Sequence, residues 1–195
     1  MELILASSSK YRQQLLAQAG IGCRIVPPEV DETSLTGLAL RQGQWPDAIC
    51  RMLAMAKAKS VADRHPEAAV LGSDQLLTIN GEILGKPGTV DGATDQLRKL
   101  AGRTHFLLTA FAIIAPGRVS CELVESQMTM RSLTTAEIER YVAADQPLDC
   151  AGSYKWESRG ITLFERVQTP DPSAIVGLPM LAVVTELRQL GIPVI

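Results

Sequence analysis

The sequence predicts an α/β protein with a mixed, largely antiparallel central sheet flanked by helices. Three observations support this prediction. Aliphatic segments typical of strands alternate along the chain with amphipathic segments typical of helices. Asn80-Gly81 separates two apolar runs, which predicts a two-residue hairpin turn. Two long apolar segments also flank Ala115-Pro116-Gly117, which predicts a second antiparallel pair.

Each element follows from hydrophobic periodicity and from residues that begin or end helices. Strands are predicted at 3–6, 23–26, 68–72, 104–114, 119–133 and 160–167, with a hairpin over 76–84. Helices are predicted at 10–19, 46–63, 91–101, 134–143 and 179–190. Pro46 suits the first residue of its helix, and Gly20 suits the end of another. Thr134 and Glu137 have the spacing of a capping box.

Length and composition exclude several classes of protein. The chain has 195 residues, of which 46% are apolar and 21% charged. A chain of this size can bury a core without disulfides, so we expect a single domain over 1–195, with two small lobes as the alternative. The composition is not that of a disordered chain or a coiled coil. Four scattered cysteines favour reduced thiols over a disulfide framework.

Charge and hydropathy also limit the partners. The formal net charge is −2 and aromatic residues make up 4% of the chain, so we expect no nucleic-acid partner. No apolar run reaches the roughly 20 residues of a membrane span, so no membrane partner is expected. The first residues lack the basic segment of a signal peptide, which favours a cytoplasmic location.

The first loop has the residues of an anion site. A strand runs into Ser7-Ser8-Ser9 and then into a helix, which directs backbone N–H groups at one point. Lys10 and Arg12 add cationic donors there, so the pattern favours phosphate. Serine caps with two solvated cations are an equally good interpretation.

Lys57 lies on the inward side of its predicted helix. Steps of four residues lead from Ile49 through Leu53 to Lys57. An inward lysine either extends along the core to reach solvent or faces an anion in a cleft. The sequence leaves both interpretations open.

Asp74 is the sharpest local candidate. It follows the predicted strand at 68–72, where open α/β sheets usually place their sites. With Asn80-Gly81 as the turn, residues whose numbers sum to 161 face each other, so Gln75 should oppose Lys86. Asp74 would then be diagonal to Lys86. Such a pair is either a plain ion pair or a base or metal ligand beside a phosphate-binding lysine.

Two further segments carry weaker signals. Glu29, Asp31 and Glu32 form an acidic loop that suits a divalent cation or a solvated turn. Lys155-Trp156-Glu157 follows a small-residue turn and has the composition of a base-recognition loop, and also of many surface loops.

Taken in order, these motifs resemble those of the Maf family of nucleotide pyrophosphatases over nearly the whole chain. The matching segments are Leu5-Ala-Ser-Ser-Ser-Lys-Tyr-Arg12, Glu29-Val-Asp-Glu32, Leu53-Ala-Met-Ala-Lys57-Ala, Gly72-Ser-Asp74-Gln75, Gly81-Glu-Ile-Leu-Gly-Lys86-Pro, Leu100-Ala-Gly-Arg-Thr104, Ala151-Gly-Ser-Tyr and Val176-Gly-Leu-Pro179. The resemblance implies a mixed sheet with a substrate cleft, often in a homodimer. It also implies hydrolysis of a nucleoside triphosphate between the α and β phosphates, with a divalent cation such as Mg²⁺ or Mn²⁺.

The resemblance further assigns roles to particular residues. Asp74 takes the place of the general base that activates water. The phosphate-facing positions fall on Ser7, Arg12, Lys57 and Lys86, and the acidic partner falls on Glu32, which with Asp74 would bind the metal. Tyr11, Gln75 and Glu157 look like the specificity residues of the branch that acts on 7-methyl-GTP. An aromatic ring and a carboxylate suit a cationic methylated guanine.

Three alternatives remain at this point. One is a dTTP and UTP pyrophosphatase of the same family. Another is a phosphatase with an aspartyl intermediate, which usually needs paired aspartates, whereas Gly72-Ser-Asp74-Gln has one. The third is a nucleotide-binding regulator of cell division without turnover, which would have no need of a base.

Overall fold

The computed structural model describes residues 1–194, which form seven strands, seven α-helices and two short 3₁₀ turns. The strands are β1 (Leu3–Ala6), β2 (Arg24–Ile25), β3 (Ala69–Ile79), β4 (Glu82–Leu84), β5 (Thr104–Ala115), β6 (Arg118–Met130) and β7 (Phe164–Gln168). The helices are α1 (Lys10–Gln18), α2 (Glu32–Arg41), α3 (Pro46–Ala62), α4 (Val90–Leu100), α5 (Thr135–Asp145), α6 (Pro172–Val176) and α7 (Met180–Gln189).

The seven strands form one mixed sheet, as predicted. Their order is β2-β1-β3-β5-β6-β7, and β4 pairs with β3. Strand β1 is parallel to both β2 and β3, whereas the β3–β4 and β6–β7 pairs are antiparallel. The β3–β4 register pairs Ile79 with Glu82 and Leu77 with Leu84. This confirms the predicted register, in which the numbers of facing residues sum to 161. Asn80 and Gly81 have φ of 53° and 79°, as a type I′ turn requires.

The chain forms two compact units. The first contains Met1–Gln75, Thr109–Val124 and the chain from Asp171 onward. Because side chains alternate along a strand, β1 and β3 supply two separate apolar clusters. Leu5 and Leu71 pack with residues of α1 and α7, whereas Ile4 and Val70 pack with residues of α3.

The second unit contains Leu76–Leu108 and Glu125–Pro170. Its interior includes a group of rings in which His105, Tyr154 and Trp156 each lie within 5.8 Å of Phe164, measured between ring centroids. Helix α5 begins with the predicted capping box between Thr134 and Glu137. The single domain and the substrate cleft stay predictions.

The polar segment around Asp74 caused the main error in strand assignment. The predicted strand at 68–72 was too short, because β3 continues to Ile79 and contains Asp74 in its interior. The ladder with β4 ends at Leu84, so the predicted extension to Gln75 opposite Lys86 was wrong. Three successive polar residues interrupt the apolar pattern, but tertiary hydrogen bonds and an ion pair accommodate them within the strand.

Other elements differ from prediction at polar or proline-rich segments. Helix α2 was not predicted, because Glu32 was assigned to an acidic loop. Asp31 instead caps this helix by accepting a hydrogen bond from the Ser34 backbone N–H. The strand predicted at 160–167 begins only at Phe164, after a 3₁₀ turn. Helix α6, also not predicted, begins at a proline and ends after five residues.

Two further properties concern the cysteines and the length of the helices. Within residues 1–194, none of the four cysteines forms a disulfide, and Cys50 is buried. Within residues 1–194, no helix combines the length and the apolar character needed to cross a membrane.

Candidate active site

Close packing of helix α3 against strand β3 sets the position of Lys57. The two backbones approach each other at Gly72. A Cβ at Gly72 would lie 2.5 Å from both the Ala54 carbonyl oxygen and the Ala58 backbone nitrogen. Only glycine fits this approach without movement of the backbone. The helical stripe that begins at Ile49 then points Lys57 toward the strand, as the sequence predicted.

Lys57 contacts two carboxylates. Its Nζ lies 2.6 Å from Asp74 Oδ1 and 2.9 Å from Glu32 Oε1. The side chains of Lys57 and Asp74 are 8% and 6% exposed, whereas that of Glu32 is 51% exposed. Of the two interpretations left open by the sequence, the structure favours a lysine that faces anions, and these are carboxylates of the chain itself.

One carboxylate oxygen of Asp74 has no hydrogen-bond partner among residues 1–194. This atom, Oδ2, is buried. Burial raises the pKa of Asp74 above its ordinary 3.8, although Lys57 and Arg12 act in the opposite direction. A buried acceptor without a partner is costly, so such an oxygen is well suited to take a proton from water or to bind a cation.

Arg12 is oriented by backbone carbonyls. Its Nε donates to the Gly177 carbonyl at 2.8 Å, and its Nη1 donates to the Ser73 carbonyl at 2.8 Å. Nη1 also lies 3.4 Å from Ser7 Oγ, which accepts a hydrogen bond from the Ser9 backbone N–H. Burial lowers the pKa of Arg12, while the negative charge of Asp74 raises it. Nη2 makes no hydrogen bond within the described chain, so this nitrogen remains available to an anion.

Ser73 and Gln75 anchor the segment that holds Arg12. Ser73 Oγ is placed to donate to the carbonyls of Ala110 (2.8 Å) and Gly177 (3.1 Å). Gln75 Nε2 lies 2.8 Å from the Ala174 carbonyl and 2.9 Å from Thr109 Oγ1. The amide nitrogen of Gln75 is therefore used to hold helix α6. Gly177, whose carbonyl orients Arg12, follows α6 directly.

A buried aspartate ties α6 to α7. Asp171 Oδ1 accepts from the Ser173 backbone N–H at 3.0 Å, and Oδ2 accepts from the Leu181 backbone N–H at 2.8 Å. No helix was predicted at 172–176. The Asp-Pro-Ser pattern at 171–173 is typical of a capped helix start and could have identified α6.

The structure brings Ser7, Arg12, Glu32, Lys57, Asp74 and Gln75 together in the first unit. Tyr11, half-buried, precedes Arg12 on α1. The two other predicted residues, Lys86 and Glu157, belong to the second unit, and both are exposed.

In the second unit, the loop that contains Glu157 is fixed at both sides. The Lys155 backbone N–H donates to Tyr141 Oη at 2.9 Å. Asp145 accepts from the Arg159 backbone N–H at 3.1 Å and from Ser158 Oγ at 3.1 Å. A loop with these anchors can present a carboxylate in a fixed direction.

Comparisons with known proteins identify the family of this chain. A family model described as Maf-like protein matches residues 2–190. The chain belongs to the Maf family. Members named 7-methyl-GTP pyrophosphatase include a protein of Xanthomonas axonopodis pv. citri (strain 306), 45% identical over 97% of this chain and 96% of the relative. Another, from Cupriavidus pinatubonensis (strain JMP 134 / LMG 1197), is 42% identical over 98% of this chain and 94% of the relative. A third, from Aromatoleum aromaticum (strain DSM 19018 / LMG 30748 / EbN1), is 44% identical over 98% and 96%.

Proposed function

We propose that this Maf protein hydrolyses 7-methyl-GTP between the α and β phosphates and releases 7-methyl-GMP and pyrophosphate. The observation that supports this most strongly is the pairing of Lys57 with Asp74, whose second oxygen is buried and unpartnered. Relatives that match nearly the whole chain carry the name of this activity.

Asp74 acts as the general base. Its Oδ2 accepts a proton from the water that attacks the α-phosphorus, and the pyrophosphate leaves as the bond to the bridging oxygen breaks. Lys57, 2.6 Å from Oδ1, stabilises the ionised carboxylate against the effect of burial. Because its pKa is raised, the carboxylate of Asp74 is a stronger base than that of an ordinary aspartate.

Cationic side chains stabilise the charge that develops on the phosphates. We assign Arg12 this role because two backbone carbonyls fix its guanidinium while Nη2 remains without a partner in residues 1–194. Ser7 supports Arg12 through its hydroxyl. The sequence pattern assigns Lys86 to the same role. Lys57 contributes a further positive charge beside the general base Asp74.

The donor set fits a divalent cation. Glu32 is half-exposed and contacts the same Lys57 Nζ as Asp74, so the cation would be held by Glu32 with Asp74 as the second carboxylate. Residues 1–194 contain no group of three or more side chains that could hold a metal. Mg²⁺ commonly binds one or two carboxylates and completes its shell with water and substrate phosphates, so two carboxylates suffice. The bound cation would neutralise charge on the phosphate oxygens.

We assign recognition of the nucleobase to Tyr11, Gln75 and Glu157. A methylated guanine carries positive charge, which favours an aromatic face such as that of Tyr11. The carboxylate of Glu157 can accept hydrogen bonds from the N1–H and N2–H groups of the ring. Gln75 acts indirectly, because its amide nitrogen holds α6. We extend the proposal to a single catalytic domain that forms a homodimer in the cytoplasm.

A panel of nucleotides tests the proposed activity. Purified protein with Mg²⁺ or Mn²⁺ should release pyrophosphate from 7-methyl-GTP faster than from GTP, dTTP or UTP. A preference for dTTP and UTP would overturn the substrate assignment. Release of orthophosphate, or tight binding without any product, would overturn the reaction type.

Glu32→Gln tests the assignment of the metal. The change keeps the shape of the side chain and removes its charge, so the Mg²⁺ concentration for half-maximal activity should rise about tenfold. Glu29→Gln, at an exposed position three residues before Glu32, is the matched control, because Glu29 pairs instead with Arg64. An unchanged Mg²⁺ requirement in Glu32→Gln would contradict the assignment.

A further inference from the structure

A hydrogen-bonded amide in the second unit connects the two loops that carry Lys86 and Glu157. Gln96, on helix α4, donates from Nε2 to the Gly85 carbonyl at 2.8 Å. Its Oε1 accepts a hydrogen bond from Ser153 Oγ at 2.7 Å. One side chain therefore contacts the residue directly before Lys86 and a residue four positions before Glu157.

The Ser153 end of this link is held in an unusual backbone conformation. Ser153 has φ of 61°, a value that residues other than glycine rarely adopt, and it is fully buried. The preceding Gly152 has φ of 77°, and a Cβ there would lie 2.2 Å from Leu77 Cδ1. The surroundings thus fix this turn, and the bond to Gln96 fixes the direction of the Ser153 hydroxyl.

A second contact joins the same segments at the backbone. The Gly88 N–H donates to the Leu148 carbonyl at 3.1 Å, which links the chain after Lys86 to the chain before the Ala151-Gly-Ser-Tyr turn. This backbone contact does not depend on side chains. The connection that a substitution can remove is the Gln96 amide.

We propose that Gln96 is a positioning residue whose two hydrogen bonds hold the loop of Lys86 and the loop of Glu157, so that one side chain supports both phosphate binding and nucleobase selection. The inference rests on the proposed function, which gives Lys86 to the phosphates and Glu157 to the base. Both bonds of Gln96 use the side-chain amide, whose nitrogen only donates and whose oxygen only accepts. The two halves of the link can therefore be broken one at a time.

Three variants separate the halves. Gln96→Leu removes both bonds, Ser153→Ala removes only the bond to Oε1, and Gln96→Glu keeps an acceptor for Ser153 but loses the donor to Gly85. Gln168→Leu, at an exposed position on β7, is the matched control for a new surface leucine. For each protein, kcat and KM are measured with 7-methyl-GTP and with GTP, together with the melting temperature.

The expected results differ for each variant. Ser153→Ala should lower the preference for 7-methyl-GTP over GTP, expressed as the ratio of the two kcat/KM values, about fivefold. Gln96→Glu should raise KM for both nucleotides by a similar factor and leave the ratio unchanged. Gln96→Leu should do both, and the control should do neither.

Other results would overturn the inference. A lower melting temperature in Gln96→Leu with unchanged KM and ratio would show a purely structural role. If Gln96→Leu fails to fold, Ser153→Ala and Gln96→Glu still test the inference. The same changes in KM and in the kcat/KM ratio for both variants would contradict separate roles for the two hydrogen bonds. A wild-type protein that turned over another triphosphate but not 7-methyl-GTP would overturn the proposed function instead. The KM of Gln96→Glu for that triphosphate would then test whether Gln96 positions the loop of Lys86.

Discussion

The two units hold their candidate residues by different physical means. In the first unit, charged groups determine the site, since Lys57 lies within 2.9 Å of both Asp74 and Glu32. In the second unit, Lys86 and Glu157 lie in loops fixed mainly by neutral hydrogen bonds and ring packing, with the contacts of Asp145 and the Lys155–Asp149 ion pair as charged exceptions. Reactivity thus depends on ionisation in one unit, whereas geometry in the other depends chiefly on amides, hydroxyls and aromatic rings.

Because of this difference, we expect a change of pH to affect the two units in different ways. Protonation of Asp74 changes the chemistry directly, because it removes the acceptor oxygen and weakens the contact with Lys57. In the second unit, burial lowers the pKa of His105 to about 4 and so keeps this ring neutral. The first unit should therefore control activity as the pH falls, and the second should control stability.

The largest effect is expected from removal of the base. Asp74→Asn keeps the size of the side chain but cannot accept the proton, so kcat should fall about a thousandfold. Asp63→Asn is the matched control, because Asp63 forms an exposed ion pair with Lys59. A folded Asp74→Asn protein with full activity would contradict the assignment of the base.

Activity should also decline on the acid side at a higher pH than an ordinary aspartate would cause. The pKa of Asp74 is raised above 3.8 by burial, so the carboxylate is protonated earlier as the pH falls. Below that pKa, kcat/KM should drop about tenfold per pH unit. An acid limb at or below 3.8 in the pH profile of kcat/KM would contradict this environment for Asp74.

The pH dependence of stability tests the second unit. The pKa of His105 is about 4 in the folded chain and 6.5 ordinarily, so protonation favours unfolding. The stabilisation is complete above about pH 6.5 and is lost as the pH falls toward 4. The free energy of unfolding should decrease by about 3 kcal/mol over that range.

His105→Gln provides the comparison, since this side chain does not titrate. Urea unfolding at pH 7 and pH 4.5 should show a flatter pH dependence for the variant than for the wild type. Parallel pH profiles for the two proteins would assign the acid sensitivity to another group.

A smaller effect is expected where α3 meets β3. Gly72→Ala would place a methyl group 2.5 Å from backbone atoms of Ala54 and Ala58, which should cost about 2 kcal/mol in unfolding free energy and displace Lys57. Gly22→Ala is the matched control, because nothing lies within 4 Å of a Cβ there. Equal stability and activity of the two variants would show that the close approach does not set the position of Lys57.

Local patterns predicted much of this fold. The Asn80-Gly81 turn fixed the hairpin register, and the Thr134–Glu137 spacing gave the capping box. The helical stripe through Leu53 correctly turned Lys57 inward. These features depend on neighbours within a few residues, so one sequence is enough to recognise them.

Features that depend on distant partners were missed. Strand β3 continues through Asp74 because groups on other elements bind Ser73, Gln75 and one oxygen of Asp74, and the sequence does not show those groups. The link through Gln96 joins residues 11 and 57 positions away. The position of Gly72 against α3 is likewise visible only when the helix is in place.

The cluster of four charged side chains that includes Lys57 has a consequence for nucleotide binding. Lys57 and Arg12 each contribute one positive charge, and Asp74 and Glu32 each contribute one negative charge, so this cluster is electroneutral when all four are ionised. A polyanion therefore gains no long-range attraction from it and needs its own counterions to approach. Association with this cluster should consequently change little with ionic strength, unlike binding to a basic surface.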